Sequence, residues 1–371
     1  MEDIKSLANA CLNCKKPMCK TGCPISTKIP EFIECIKNNK YKKAYEILQA
    51  NNIMSQICSK ICQTENQCMG SCVRALKGNP VKINKLEEFI NSWAKENNIQ
   101  YELEKEEDKK EKIAIIGGGP AGISCAVELK VKGFDVTILE KEGSLGGVLE
   151  YEIPDFRLNK TYVRELEEKI KKIGIKIKTN VEFGIDFNLE DLKNKSYKAV
   201  FLAIGAYVQN QYKLTEAKCS DIYTADELLR KYHNKEKINN LGKTIVIGGG
   251  NVAMDVARTT NKVGNEAVTV VYRRTNELMP AIKTEQEEAK KEGVKFIYNT
   301  KVLEAIHNKD NRLEKIKCIK TKIENDKAVD IPGSEFEMEA DSIIFAIGYK
   351  IDEKMLNDIR NKYRKWISKN R

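Results

Sequence analysis

Two histidines, His233 and His307, are all that this chain of 371 residues carries. Neither lies in a pattern that would make it a base, a nucleophile's partner or a metal ligand, so both read as surface residues. No Ser/His/Asp arrangement or paired carboxylates stand in for them, which leaves the chemistry to bound cofactors. No stretch approaches the ~20 apolar residues that span a bilayer. The opening MEDIKSLANA has neither the basic start nor the apolar run of a signal peptide. These absences read as a soluble, cytoplasmic protein with no membrane contact. A basic block is also missing: 64 Lys and Arg exceed 54 Asp and Glu for a net charge of +10, yet the two signs are mixed along the chain. That pattern suits a solvated surface better than nucleic-acid binding.

Cysteine, by contrast, is plentiful, with twelve in the chain. Reduced cytosolic thiols in a chain this long do not read as disulfide staples, so ligation is the better reading. Cys35, Cys125, Cys219 and Cys318 stand alone and read as packing residues or idle thiols. The other eight form two groups, Cys11-x2-Cys14-x4-Cys19-x3-Cys23-Pro24 and Cys58-x3-Cys62-x5-Cys68-x3-Cys72. The first is close to the bacterial ferredoxin run, in which three thiolates hold one cluster and the fourth, before proline, serves another. Eight thiolates in two fours match two [4Fe–4S] clusters. Structural zinc is the alternative, but four thiols within thirteen residues ending in Cys-Pro differ from two short knuckles across a long gap.

The rest of the chain, with 41% hydrophobic residues overall, can bury further cores. Residues 1–100 carry helical periodicity around the cysteines, and the charge run at 101–112 reads as a linker. From Ile113 a buried strand enters a Gly turn and a helix, and a second strand ends in Glu140, which is a βαβ unit. Gly117, Gly119 and Gly122 fit G-x-G-x-x-G, whose glycines permit the tight turn, backbone approach to a pyrophosphate and close helix packing. Glu140 is placed to accept ribose hydroxyls. The plan returns from Thr244 with Gly248, Gly250 and Ala253, but Tyr272, Arg273 and Arg274 replace the acid at the second strand end. Guanidinium pairs suit a 2′-phosphate, which favours NADPH over NADH. VFLAIGA at 200–206 and IIFAIGY at 343–349 form a second repeat, each following its own Gly loop.

Taken together, CLNCKKPMCKTGCP, ICSKICQTENQCMGSC, IIGGGPAG, LGGVLEYEIPDFRLNK, GGGNVAMDVAR and VYRRTNELMPA resemble the glutamate synthase small (beta) subunit family. The module is similar to the N-terminal part of dihydropyrimidine dehydrogenase and to the large subunit of NADH-dependent ferredoxin:NADP⁺ oxidoreductase. The likeness runs from residue 5 to about 355. It implies an α/β chain of the glutathione-reductase type: a helical iron–sulfur domain (1–100), the linker, an FAD domain (113–238), an inserted NAD(P)H domain (239–340), and a return to the FAD domain (341–371). It further implies FAD on Gly117–Gly122 and Glu140, with Gly146 and Gly147 at the flavin side. NADPH would lie on Gly248, Gly250, Asn251 and Ala253, with Arg273 and Arg274 at its 2′-phosphate.

By the same resemblance the clusters interleave: Cys11, Cys14, Cys19 and Cys72 form one set, and Cys23, Cys62 and Cys68 belong to the other. That set is completed by Cys58 or by a side chain near Glu87 and Glu88. The implied activity is electron entry from NADPH through FAD and two [4Fe–4S] clusters to a larger catalytic subunit or a ferredoxin-like acceptor, within a possible hetero-oligomer. Transhydrogenation and ferredoxin-linked bifurcation use the same module. Two departures qualify this: Glu152 stands where the family has glycine, and the chain stops at Arg371 without the Ala/Gly-Gly-Asp turn and closing helix of relatives. From these come the expectations of weakened hydride transfer and weak FAD retention, and the rival reading of a non-catalytic cluster- or zinc-binding interaction protein.

Overall fold

The computed structural model describes residues 3–210, 212, 214, 221–264 and 267–367. Cys219 lies outside them. The chain divides into two compact units, Met1–Ile204 and Gly205–Arg371.

In the first unit, helices α1 (Ile4–Asn9), α2 (Met18–Thr21), α3 (Ile29–Lys37), α4 (Tyr41–Asn51) and, beyond α5 (Ser55–Ile61), α6 (Ile83–Glu96) surround one core, while Ile57 and Ile61 of α5 pack on the next. Apolar residues at three- and four-residue spacing make the buried stripes: Ile29, Phe32, Ile33 and Ile36 on α3 meet Leu86, Ile90 and Ala94 on α6. The 101–112 segment is anchored, despite its charge. Tyr101 packs on this core and Leu103 on the next, while Glu106 N and Lys109 N donate to Val131 O and Gly133 O at 2.8 Å each.

A parallel sheet follows, in the order β3-β2-β1-β4. Its strands are β1 (Lys112–Ile116), β2 (Asp135–Leu139), β3 (Lys176–Lys178) and β4 (Tyr197–Leu202). Helices α7 (Pro120–Val131), α8 (Val148–Tyr151), α9 (Thr161–Ile173) and α10 (Leu189–Asn194) lie between the strands in sequence. Continuous apolar runs such as Ile113–Ile116 are buried because helices cover a parallel sheet.

The second unit holds β5 (Val208–Gln209), β6 (Ile222–Thr224), α11 (Ala225–His233), β7 (Lys243–Ile247), α12 (Asn251–Lys262), β8 (Ala267–Val271), α13 (Lys283–Lys291) and β9 (Lys295–Ile297). It continues with β10 (Thr300–His307), β11 (Leu313–Glu324), β12 (Lys327–Asp330), β13 (Phe336–Glu339), β14 (Ser342–Phe345), β15 (Tyr349–Lys350) and α14 (Glu353–Ile367). Its parallel sheet runs β6-β14-β7-β8-β9, beside an antiparallel set built on β11 and the β15-β5 pair. The sequence-based boundaries differ here. The IIFAIGY strand assigned to a returning FAD domain is β14, which pairs in parallel with β6 and β7. Ile343 and Ile344, fully buried, belong to this unit's own cores. Both histidines are half-buried rather than on the surface, and the Nε2 of His307 is enclosed.

Candidate cofactor sites

The first Gly loop joins β1 to α7. Gly117 has φ +104°, and a Cβ there would lie 2.3 Å from Ala203 O, so only glycine fits. A Cβ on Gly122 would meet Gly117 O at 2.0 Å, which is how α7 packs close to the strand. Gly119 caps α7 and is open to space, its ideal Cβ approaching only Gly147 Cα at 4.0 Å. The loop therefore offers the free amides of a helix N-terminus beside room for a pyrophosphate. Glu140, buried at the end of β2, accepts hydrogen bonds from Gly118 N and, at 2.9 Å, from Glu142 N.

Gly146 and Gly147 are brought onto this loop. Gly146 N donates to Gly118 O at 2.8 Å, and an ideal Cβ on Gly147 would lie 3.1 Å from Gly119 Cα. Side chains that were not singled out from sequence hold them there. Leu145 N donates to Glu167 Oε2 (3.0 Å) and Ser144 N to Tyr151 Oη (3.0 Å). Lys160 Nζ donates to Leu149 O (2.7 Å) and to Ile153 O, clamping the segment that carries Glu152. Glu150 is buried, and burial raises its carboxyl above the usual range. Tyr151 and Lys160 stand inside the LGGVLEYEIPDFRLNK motif, the signal from which they could have been found.

The second loop repeats this geometry in the other unit. An ideal Cβ on Gly248 would meet Ala346 O at 2.2 Å, as Gly117 meets Ala203 O, and each alanine opens an Ala-Ile-Gly. Gly250 caps α12 with nothing within 4 Å of its Cβ position, and Ala253 is fully buried. Asn251 Oδ1 accepts from Ile282 N (3.0 Å) and Ala281 N donates to Gly249 O (2.9 Å), so Asn251 ties the loop to the Met-Pro-Ala segment. Arg273 is exposed and Arg274 half-buried past the end of β8. Among the described residues neither guanidinium is held in an ion pair, while Thr321 Oγ1 donates to Arg273 O (2.7 Å) and fixes the backbone. No acid stands there to repel a 2′-phosphate.

The cysteines converge in two groups that cross the sequence order. Cys11, Cys14, Cys19 and Cys72 line one small cavity walled by Ile29, Pro30 and Val81. Burial, then Cys72, and more weakly Cys11 and Cys14, push the Cys19 thiol up to about 11. In the other group burial, then Cys23 and Glu87, push Cys68 up to about 12. Cys62 is lowered by a hydrogen bond from Cys58 and opposed by Glu87, Cys68 and Cys23. Asn52 Nδ2 donates to Cys58 Sγ at 3.1 Å. Burial, then Cys58, hold Glu87 well above the usual carboxylate range, whereas Glu88 is engaged by Lys60 (2.5 Å) and Lys85 (3.2 Å). Among the described residues no three His, Cys, Asp or Glu side chains meet tightly enough for a single metal ion.

Residues 111–370 match the pyridine nucleotide-disulphide oxidoreductase family, and residues 1–99 match dihydropyrimidine dehydrogenase domain II, 4Fe-4S cluster. The chain is 31% identical to the glutamate synthase [NADPH] small chain of Escherichia coli K12, over 93% of this chain and 77% of that one. The chain belongs to the glutamate synthase small-chain family of pyridine nucleotide-disulphide oxidoreductases. It is 34% identical to the NAD-dependent dihydropyrimidine dehydrogenase subunit PreT of Escherichia coli O157:H7, over 92% of this chain and 78% of that one. Mycobacterium tuberculosis FprA in complex with NADPH shares the fold, at 17% identity and TM-score 0.53, over 65% of this chain and 71% of that one. Within the family the chain is an NAD(P)H-dependent flavin and iron–sulfur oxidoreductase that transfers electrons. Among the described residues no helix is long and apolar enough to cross a membrane.

Proposed function

We propose that this small-chain family member is an electron-entry subunit, in which NADPH reduces FAD and electrons leave one at a time through two [4Fe–4S] clusters to a larger partner polypeptide. The observation that carries the reading is the interleaving: Cys72 joins Cys11, Cys14 and Cys19, while Cys23 joins Cys62 and Cys68. When bound, FAD supplies the change from two-electron to one-electron chemistry, and the clusters supply one-electron relays. The chain's own residues bind and orient. Gly117, Gly119 and Gly122 offer backbone amides to the flavin dinucleotide, with Glu140 for its ribose. Gly146 and Gly147 leave room beside that loop, held open by Lys160 and Glu167. Gly248, Gly250 and Ala253 cradle the pyridine nucleotide, and Arg273 and Arg274 select its 2′-phosphate. The domain limits follow in the same spirit, residues 1–100 for the clusters and the two Gly-loop sheets for the dinucleotides.

For the fourth ligand of the second cluster we favour Glu87. Its buried carboxyl bears on both Cys62 and Cys68, whereas Cys58 is engaged by Cys62 itself and by Asn52 Nδ2, which donates to its Sγ at 3.1 Å. Cys58 then acts on the cluster through Cys62.

An anaerobic visible spectrum with iron analysis tests the function. The expected result is flavin bands and a broad iron–sulfur shoulder that both bleach with NADPH and much less with NADH, with about eight iron atoms per chain. Replacing both Arg273 and Arg274 by Ala should remove the preference for NADPH. Bound zinc, or no bleaching, would overturn the reading.

A further inference from the structure

Away from the Gly loops and the cysteine groups, the first unit contains a cavity of about 870 Å³ between α4, α6, α9 and the 101–112 segment. This is within the ~300–1,000 Å³ of small-molecule sites. Its walls are largely apolar, with Ile53, Met54 and Leu166 among them, and Lys169 enters from α9. Lys169 Nζ lies 5.8 Å from the Tyr45 ring centroid and donates to Gln49 Oε1. Gln49 is itself fixed, its Nε2 donating to Ser55 Oγ (3.0 Å) and Asn91 Oδ1 (3.2 Å), all three buried. The ammonium is thus held by a rigid polar network. Among the described residues no carboxylate pairs with it: Glu165 is engaged by Lys95 at 2.5 Å and Glu168 by Lys171 at 2.8 Å. Burial lowers its pKa to about 8 with no opposing charge. A largely desolvated ammonium beside an apolar wall, in a cavity that Lys95, Lys105, Arg164 and Lys172 also line with Glu102, Glu165 and Glu168, has the chemistry to hold an anion with an apolar body.

We propose that this cavity binds a small organic carboxylate with an apolar body, its anion against Lys169 and its body on the Ile53, Met54 and Leu166 wall. This is a site separate from the dinucleotide and cluster chemistry and independent of how that chemistry is assigned. An aliphatic or aromatic monocarboxylate satisfies both halves, whereas a neutral amide of the same shape satisfies only the apolar half and leaves the ammonium unpaired.

The test uses the full chain, isolated anaerobically with its cofactors, and isothermal titration with naphthalene-2-acetate and its uncharged analogue naphthalene-2-acetamide. The acetate is expected to bind saturably and the acetamide at least about tenfold more weakly. Lys169→Met should bring the two within about twofold, while Lys171→Met, an exposed position on the same helix outside the cavity, should leave the preference intact. Lys169→Gln, which keeps an N–H donor for Gln49, serves as the second neutral variant should the methionine variant fail to fold. Equal affinity of the native chain for acid and amide, no saturable binding, or a preference for the acid that survives in a folded neutral variant at position 169 would each overturn the proposal.

Discussion

Arg258 on α12 carries its guanidinium into the second unit, where it is only 7% exposed. Its Nη1 donates to Glu285 (2.6 Å), and its Nε and Nη2 grip Glu292 at 3.0 and 2.8 Å. A bidentate pair of this kind contributes little net stability over an apolar filling, but removing one partner strands the other. Arg258→Met is therefore expected to destabilise the chain by about 3 kcal/mol, measured by denaturant unfolding. The remaining Lys262 contact to Glu292 (3.0 Å) keeps the loss from being larger. Lys169 behaves in the opposite way. It contacts Tyr45 and Gln49 of α4 and shares its cavity with Lys95 of α6, Tyr101, Glu102 and Lys105 of the 101–112 segment, and Arg164, Glu165, Glu168 and Lys172 of α9. Its pKa falls from 10.5 to about 8 on folding, so between those values the unfolded chain binds more protons and stability rises with pH. Below pH 8 the charged form penalises the fold by about 3 kcal/mol. The melting temperature of the native chain should then rise relative to that of Lys169→Met as the pH climbs from 8 toward 10.5. A pH-independent difference between the two proteins would refute this.

At the scale of the strand–loop–helix element, the first glycine of one loop and the second of the other are expected to fail differently. Gly117→Ala forces a methyl against Ala203 O at 2.3 Å in a left-handed backbone, so the fold itself should lose about 2 kcal/mol or more. Gly250→Ala meets no protein atom within 4 Å, so stability should stay within about 0.5 kcal/mol. Its methyl enters the space offered to the pyrophosphate, and NADPH affinity should fall at least about tenfold; calorimetry and titration together separate the two effects. These elements were legible in the sequence because strand, Gly turn and helix are local, each set by a few adjacent residues. The places of Glu140, Arg273 and Arg274 just past the strand ends could be read for the same reason. What joins distant segments could not be read from spacing. Gly146 resting on Gly118, Lys160 reaching back to Leu149, and the pinning of the 101–112 segment by Tyr101 and Leu103 are tertiary contacts without a periodic signature. The crossing of the cysteine groups came from family resemblance. Spacing alone gave two consecutive fours. The IIFAIGY strand was recognised as a strand, but its neighbours in the sheet, β6 and β7, depend on which apolar face buries against which helix.

Over the whole molecule, both compact units have apolar cores, and the first carries a cysteine region besides. The second unit has cores of its own around Val246, Met254, Val268 and Ile344 and around Ile245, Ile316 and Ile343, so hydrophobic burial suffices to hold it. In the first unit, the cysteine region includes short pieces: α2 has 4 residues and α5 has 7, and the 3₁₀ turns Thr64–Asn66 and Val73–Lys77 follow α5. Helices this short are not stable alone. In the proposed reading, a cluster held by Cys11, Cys14, Cys19 and Cys72 would close a long loop and contribute folding free energy directly. Thermal unfolding of the anaerobic protein should therefore show two transitions. Oxidative removal of the clusters with a chelator should lower the transition of the first unit by about 10 °C or more and leave the second within about 2 °C. Limited proteolysis of the stripped protein should cut first within residues 10–80. A single transition that moves as a whole when iron is removed would mean that the second unit also depends on the clusters, against the independence its two cores imply.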